Sequence, residues 1–472
     1  MLSLGGFITH PIVLAVLAVA TLVGTAAGIL SLVITLRQSA RSKDIERREK
    51  KVALPPEFLD GLPQAVNKKL RAAHQEARIL QLEGYEAQSK DKHREAIDRF
   101  TRALALAEND SQRAALHTLR GNSYFDMSDY VAAQTEYEES LHLAAGITPG
   151  EDAVRARAAA LGGLGNVYKD RGDLERAKDH YSLALKLHRG VRDRSGEACV
   201  LGNLGLAYRR GGELNEAENH LKLALKIDKR VGNRAGEAAD LGGLGNVCAQ
   251  RGGVRNLRRA ESYHKEALRI HREIGGRLGE ATDLSNLGVV YGQCDEMDKA
   301  EQCLQNSMAT AKEIGNRACE AHALGNLGIV YRLRDGPSDV DKSEAHHRRS
   351  LEIAREIGDR PAAAHQLGNL GLVYAHRGER EKAEEYYKMA LEMHREVGDR
   401  LSEAQDLGSL GLAYLHHADP EEGRELLQEA QAIYQDVGAR GDGPEDVQRG
   451  LEYLEALKRQ QRVGGEEKRS EG

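Results

Sequence analysis

Tryptophan is absent from this 472-residue chain, phenylalanine occurs four times and proline nine. Alanine, leucine, glutamate, arginine and lysine abound instead, a balance that favours helix throughout. Cysteine is equally sparse. Cys199, Cys248, Cys294, Cys303 and Cys319 are odd in number and none falls in a C-x-x-C pair, which excludes a disulfide framework and gives no zinc site. An excess of basic residues is lacking too: net charge is -6, with both signs interspersed. Nucleic-acid binders usually show a basic excess on one face, so that class is set aside.

One long hydrophobic run is present. From Ile12 to Leu36 there is no charged residue, enough for a helix of about 37 Å at 1.5 Å per residue. No Lys or Arg precedes it, as a cleaved signal peptide would need. The run is therefore read as a transmembrane helix over 12–36. Arg37, Arg41, Lys43, Arg47, Arg48, Lys50 and Lys51 follow it, and the positive-inside rule puts the remaining chain in the cytoplasm with a short N-terminus (1–11) outside. The expected localisation is a single-pass protein of a bacterial inner membrane. Gly24 and Gly28 form a G-x-x-x-G, a candidate contact for a homo-oligomer.

After Pro55 and Pro56, which close the basic segment 37–56, one pattern recurs to the end of the chain. Its marker glycines are Gly84, Gly121, Gly165, Gly205, Gly245, Gly288, Gly328, Gly371 and Gly411. Three residues on comes Tyr in most copies, as at Tyr168, Tyr208, Tyr291 and Tyr374; twelve on is usually Ala, and nineteen on is Ala or Ser. Gly and Tyr one turn apart share a stripe of a first helix, and the two small residues share a stripe of a second. Small against small lets two antiparallel helices approach closely, with Tyr filling the gap to the next unit. Gly232, Gly315, Gly358 and Gly398 suit the C-terminal end of the second helix. Asn233, Asn316, Asp359 and Asp399 suit the N-cap of the next.

This pattern resembles the tetratricopeptide repeat family, in the long-repeat form of kinesin light chains and G-protein-signalling modulators, over roughly residues 67–440. The resemblance implies an all-α fold: behind the transmembrane helix, a right-handed superhelical solenoid of about nine helical hairpins. The expected divisions are two first hairpins over 57–143, a main array of seven repeats over 144–440, a capping helix over 441–462 and a disordered tail over 463–472. The repeats marked by Gly245 and Gly328 carry three extra residues, placed in the turn between their helices, and have His264 and His347 where others are apolar.

Residues two before the marker sit 200° from it and face the groove if the glycine stripe packs inward. Asn203, Asn286, Asn326 and Asn369 stand there; where Gly163 and Gly243 take that place, Asn166 and Asn246 follow three residues later on the same face. Arg210, Gln250, Gln293, His376 and His416 lie a turn further along. A carboxamide both donates and accepts, so an asparagine ladder suits the main chain of an extended peptide. The resemblance carries the same role to these six asparagines. His346-His347 and His416-His417 are not metal pairs, because helix neighbours point 100° apart. The Gly-Asn-Leu-Gly stretches lie inside a helix rather than after a strand, which removes a phosphate loop. No catalytic constellation and no cofactor site is legible. The expected function is a membrane-anchored scaffold or adaptor for peptide segments of partner proteins. Its alternatives are a self-assembling structural scaffold and a regulatory subunit of a separate catalytic chain.

Overall fold

The structure, a computed structural model, describes residues 64–89, 92–147, 150–334, 336, 338–415, 420–439 and 443–456. Among the described residues nine helical hairpins follow one another: α1 (Gln64–Ser89) with α2 (His93–Leu106), α3 (Asp110–Asp126) with α4 (Tyr130–Gly146), and α5 (Glu151–Asp170) with α6 (Leu174–Gly190). Next come α7 (Arg194–Arg210) with α8 (Leu214–Val231), α9 (Arg234–Arg251) with α10 (Val254–Glu273), and α11 (Arg277–Gln293) with α12 (Met297–Ile314). The last three are α13 (Arg317–Arg334) with α14 (Asp339–Ile357), α15 (Arg360–His376) with α16 (Arg380–Val397), and α17 (Arg400–Leu415) with α18 (Pro420–Asp436). A further helix, α19 (443–456), packs Val447 and Leu454 into the last core cluster.

Helix α8 shows why these segments are helical. Ala217, Leu221 and Ala224 form its buried stripe, Glu216 sits in its first turn, and Lys229 and Arg230 sit in its last, where the helix dipole favours each sign. It stops at Gly232, whose φ of 73° a side chain would resist. The next helix starts on Asn233, whose side chain accepts from the backbone N–H of Gly236. Asn316, Asp359 and Asp399 cap α13, α15 and α17 in the same way, through Cys319, Ala362 and Ser402.

The marker glycine seats a large residue of its own second helix. A Cβ on Gly165 would lie 2.5 Å from the Tyr181 ring, one on Gly205 2.6 Å from Leu221, and one on Gly245 2.5 Å from His264. In the later repeats the tyrosine three residues on ties the repeat to the one before it. Tyr331, Tyr374 and Tyr414 donate to Glu301, Glu344 and Glu384 at 2.6, 2.6 and 2.5 Å.

Two expectations are corrected. The three extra residues of the Gly245 repeat do not widen its turn. They lengthen the second helix, so that α10 runs 20 residues against 18 in α8. Three residues are nearly one helical turn, and the buried face survives their insertion. The second correction concerns the membrane. Among the described residues no helix is long and apolar enough to cross one. The helices are amphipathic and rich in charge, so they bury one stripe against neighbours rather than face lipid all round. Among the described residues the fold is thus an all-helical solenoid without a transmembrane helix, and these residues give no support to a single-pass membrane localisation. The run 12–36, the basic segment 37–56 and the tail 463–472 lie outside the described residues.

Candidate functional site: the inner wall of the solenoid

Each hairpin packs its second helix on the first helix of the next. From α3 to α15 the first helices also touch one another, while no two second helices pack to that extent. The first helices therefore make the inner, concave wall. Asn203, Asn246, Asn286, Asn326 and Asn369 are all half-buried on it. The residues six before the marker, from Ala159 and Cys199 through His322 and His365 to Gln405, are exposed along the same wall.

Not every predicted site residue is available to a ligand. Asn166 accepts the Tyr181 hydroxyl at 2.6 Å, just as Asn122 accepts that of Tyr137 at 2.8 Å, so this asparagine orients a core ring. Gly163 replaces asparagine for steric reasons, since a Cβ there would meet the Tyr137 ring at 2.4 Å. Asn326 donates to Ser285 at 3.0 Å. Asn203, Asn246, Asn286 and Asn369 make no side-chain hydrogen bond among the described residues, nor does Gln293. Gln250 pairs with Arg209 of the preceding repeat, accepting from its guanidinium and donating to its carbonyl, each at 3.4 Å. His376 ends α15, exposed on the same wall, and His416 lies outside the described residues.

Arg210 has a different role from the one its position suggests. Its guanidinium donates to Asp399 at 2.7 Å across 189 residues, and to Asp170 at 3.3 Å. Beside it the Arg400 N–H donates to the Arg171 carbonyl at 3.1 Å. Val397 packs on the cluster of Tyr130, Ala133, Tyr137, Leu164 and Val167. The solenoid thus comes round on itself, and α5 to α7 meet the α16–α17 junction. Asp399 is 2% exposed. Burial alone would raise its carboxyl pKa, but Arg210 and the Ser402 hydroxyl and N–H hold it below the usual range. Arg210→Ala strips a buried carboxylate of its cation, a loss of about 1–3 kcal/mol. The expected result is a lower melting temperature and a larger radius of gyration by small-angle scattering. An unchanged radius would show that the contact does not hold the turns together.

Buried polar pairs beneath the wall were not foreseen. His271 meets Asp283 at 2.6 Å and His394 meets Asp406 at 2.5 Å. In the Gly205 repeat the equivalent place of the histidine is Asp228, which faces Asp240, and burial with that second carboxyl pushes Asp240 up to about 8. Alignment of the copies held the signal: in these three repeats the residue 23 after one marker, or 26 where three residues are inserted, faces the residue five before the next. These pairs join successive repeats under the lumen floor. No group of three or more His, Cys, Asp or Glu able to hold a metal occurs among the described residues.

Comparison with known proteins completes the description. No curated protein sequence matches the chain. Among solved structures, the Rap conjugation gene regulator of plasmid pLS20, in complex with the Phr* peptide, is 17% identical, with a TM-score of 0.49 over 68% of this chain and 95% of that one. The apo form of RapI is 17% identical, with a TM-score of 0.47 over 60% and 99%. A STAND signal-transduction ATPase with a tetratricopeptide repeat sensor from Pyrococcus horikoshii is 18% identical, with a TM-score of 0.44 over 73% and 52%. The tetratricopeptide repeat pattern itself matches residues 156–230, 196–273, 282–339, 338–396 and 366–436. These matches span more than half of the chain and coincide with the hairpins and marker glycines above, so the chain belongs to the tetratricopeptide repeat family.

Proposed function

We propose that this chain is a protein-binding scaffold whose inner wall holds extended segments of partner proteins. The observation that carries the reading is the set Asn203, Asn246, Asn286 and Asn369, half-buried on one wall with no partner among the described residues. Buried and half-buried polar groups normally find hydrogen bonds, and a carboxamide offers a donor and an acceptor to a peptide group. Neighbouring helices lie about 8–10 Å apart, roughly three residues of extended chain at 3.3 Å each. Each repeat can then read the main chain of every third ligand residue, leaving the intervening side chains for pockets between helices.

The test is a paired pull-down from native lysate with the full chain as bait, unchanged or carrying Ala at Asn203, Asn246, Asn286 and Asn369. At about 1 kcal/mol per lost hydrogen bond, four of them weaken binding on the order of a thousandfold. A partner held by the first bait and lost from the second, at equal helicity, is the expected result. Equal capture by both would sink the asparagine reading.

One observation favours a second reading, self-assembly. Val231, Ile274 and Ile314 are 44, 43 and 38% exposed at the ends of α8, α10 and α12. Val397, the equivalent residue of α16, is covered where the solenoid meets itself. Concentration-dependent mass in light scattering, abolished by Ser at those three positions, would support it.

A further inference from the structure

The chain is 30% charged, and charged side chains normally crowd exposed positions. The inner wall departs from this. Along α9, α11, α13 and α15, five lining positions per helix (ten, six and two before the marker, one and five after it) hold no Asp, Glu, Lys or Arg. Twenty positions at the chain's 30% share would carry about six. They carry amides, small residues, histidines and aliphatic side chains; Val289, Leu333 and Leu372 are 37, 49 and 39% exposed. Arg332 borders the wall from α13, and the charges at its entrance, Arg210 and Asp170, are paired with each other.

The wall is also a poor place for a charge. His322 and His365 are exposed to solvent, yet the protein around them desolvates both rings and lowers their pKa. A side chain open to water but ringed by protein is what a narrow lumen produces, and the contact of Arg171 with Arg400 shows the solenoid coming round on itself. A lysine brought into that lumen would lose water and meet no opposite charge, and a glutamate would find only Arg332 at its border.

We propose that the lumen from α9 to α15 selects extended peptide segments without charged side chains, their main chain held by the asparagines and their aliphatic groups set against Val289, Ile329 and Leu372. The selection rests on the peptide-binding reading above and adds to it the chemistry of the ligand. It gives the two faces of the solenoid opposite character: a charged, hydrated outer surface that offers such segments little and an uncharged lining that accepts them. Binding of this kind varies little with salt, because no ion pair is formed or screened.

The experiment pans a phage-displayed library of random dodecamers on the purified full-length chain, on an Ala239→Glu/Thr282→Glu variant and on bare support. Both substituted positions are exposed on the lumen, and the melting curve checks that the variant folds. The expected result is that Asp, Glu, Lys and Arg fall at least about threefold below their input frequency in the wild-type pool. That pool keeps its binding at high salt, and the variant pool gains Lys and Arg. A wild-type pool rich in charged residues, or one released by salt, overturns the selection and leaves the peptide groove standing. Identical pools from wild type and variant place the peptides outside the lumen and overturn it as well. Enrichment no greater than on bare support overturns the groove reading together with it. The wild-type pool decides the matter even if the variant does not fold.

Discussion

Replacing His264 and His347 by leucine is expected to make the protein more stable at every pH below neutrality, with a gain that grows as pH falls. Both imidazoles are fully buried. Burial pushes each down to about 4, partly offset at His347 by the Gln366 carboxamide, which bonds its Nδ1 at 2.9 Å. Neither nitrogen of His264 has a partner among the described residues. The unfolded chain takes up a proton near pH 6.5 and the folded one only near 4, so stability is full above 6.5 and drains away between those values. Each histidine costs about 2 kcal/mol by pH 5 and about 3 kcal/mol by pH 4. Leucine is already the residue on the marker glycine in other repeats, as Leu221, Leu304 and Leu427, so the cavity accepts its shape. Asp240, raised to about 8, has the opposite sign and loses its contribution as pH rises through that value. Denaturant melts of wild type and double variant across pH 4 to 7, subtracted from one another, cancel that term. A difference independent of pH would mean that the fold takes up protons at these rings as readily as the unfolded chain does.

Tyr181→Ala should cost about 3–5 kcal/mol, the upper range for truncating a buried ring. Tyr181 is 0% exposed, and the ring lies flat on Gly165. Glycine has no side chain to move into the void, so the cavity stays open. The loss should also spread, because a solenoid repeat is held chiefly by its neighbours and the wall beyond it loses its base. Hydrogen exchange would show α3 to α6 opening before the later hairpins. Tyr181→Phe, which gives up only the bond to Asn166, should cost about 1 kcal/mol. Equal losses for the two variants would put the energy in the hydroxyl rather than in packing.

The asparagines show how far the sequence reached and where it stopped. Their 200° offset from a buried stripe sufficed to put them on the inner wall, because helix geometry is local. What each carboxamide bonds is not local. Asn166 and Asn203 differ in sequence only by a shift of three, yet the first holds a tyrosine of its own repeat while the second has no partner among the described residues. Arg210 shows the limit most clearly. Read along its helix it is one more lining residue, but its partner Asp399 stands 189 residues away. A small rotation summed over several repeats brings those two together, and no motif encodes such a sum. His394 and Asp406 lie only twelve residues apart and were still missed, because they meet across a junction between hairpins.

By itself the sequence determined the helices, their caps and stops, the hairpin unit and the face each helix buries. All of these depend on interactions within about one repeat: a dipole, a cap, a small residue opposite a ring. The tertiary structure alone decided which repeats meet around the superhelix, which carboxyls and imidazoles become partners beneath the wall, and how dry the lumen is. Those depend on how small angles between rigid units accumulate and on the solvent that the assembled wall excludes, quantities that exist only once the units have packed.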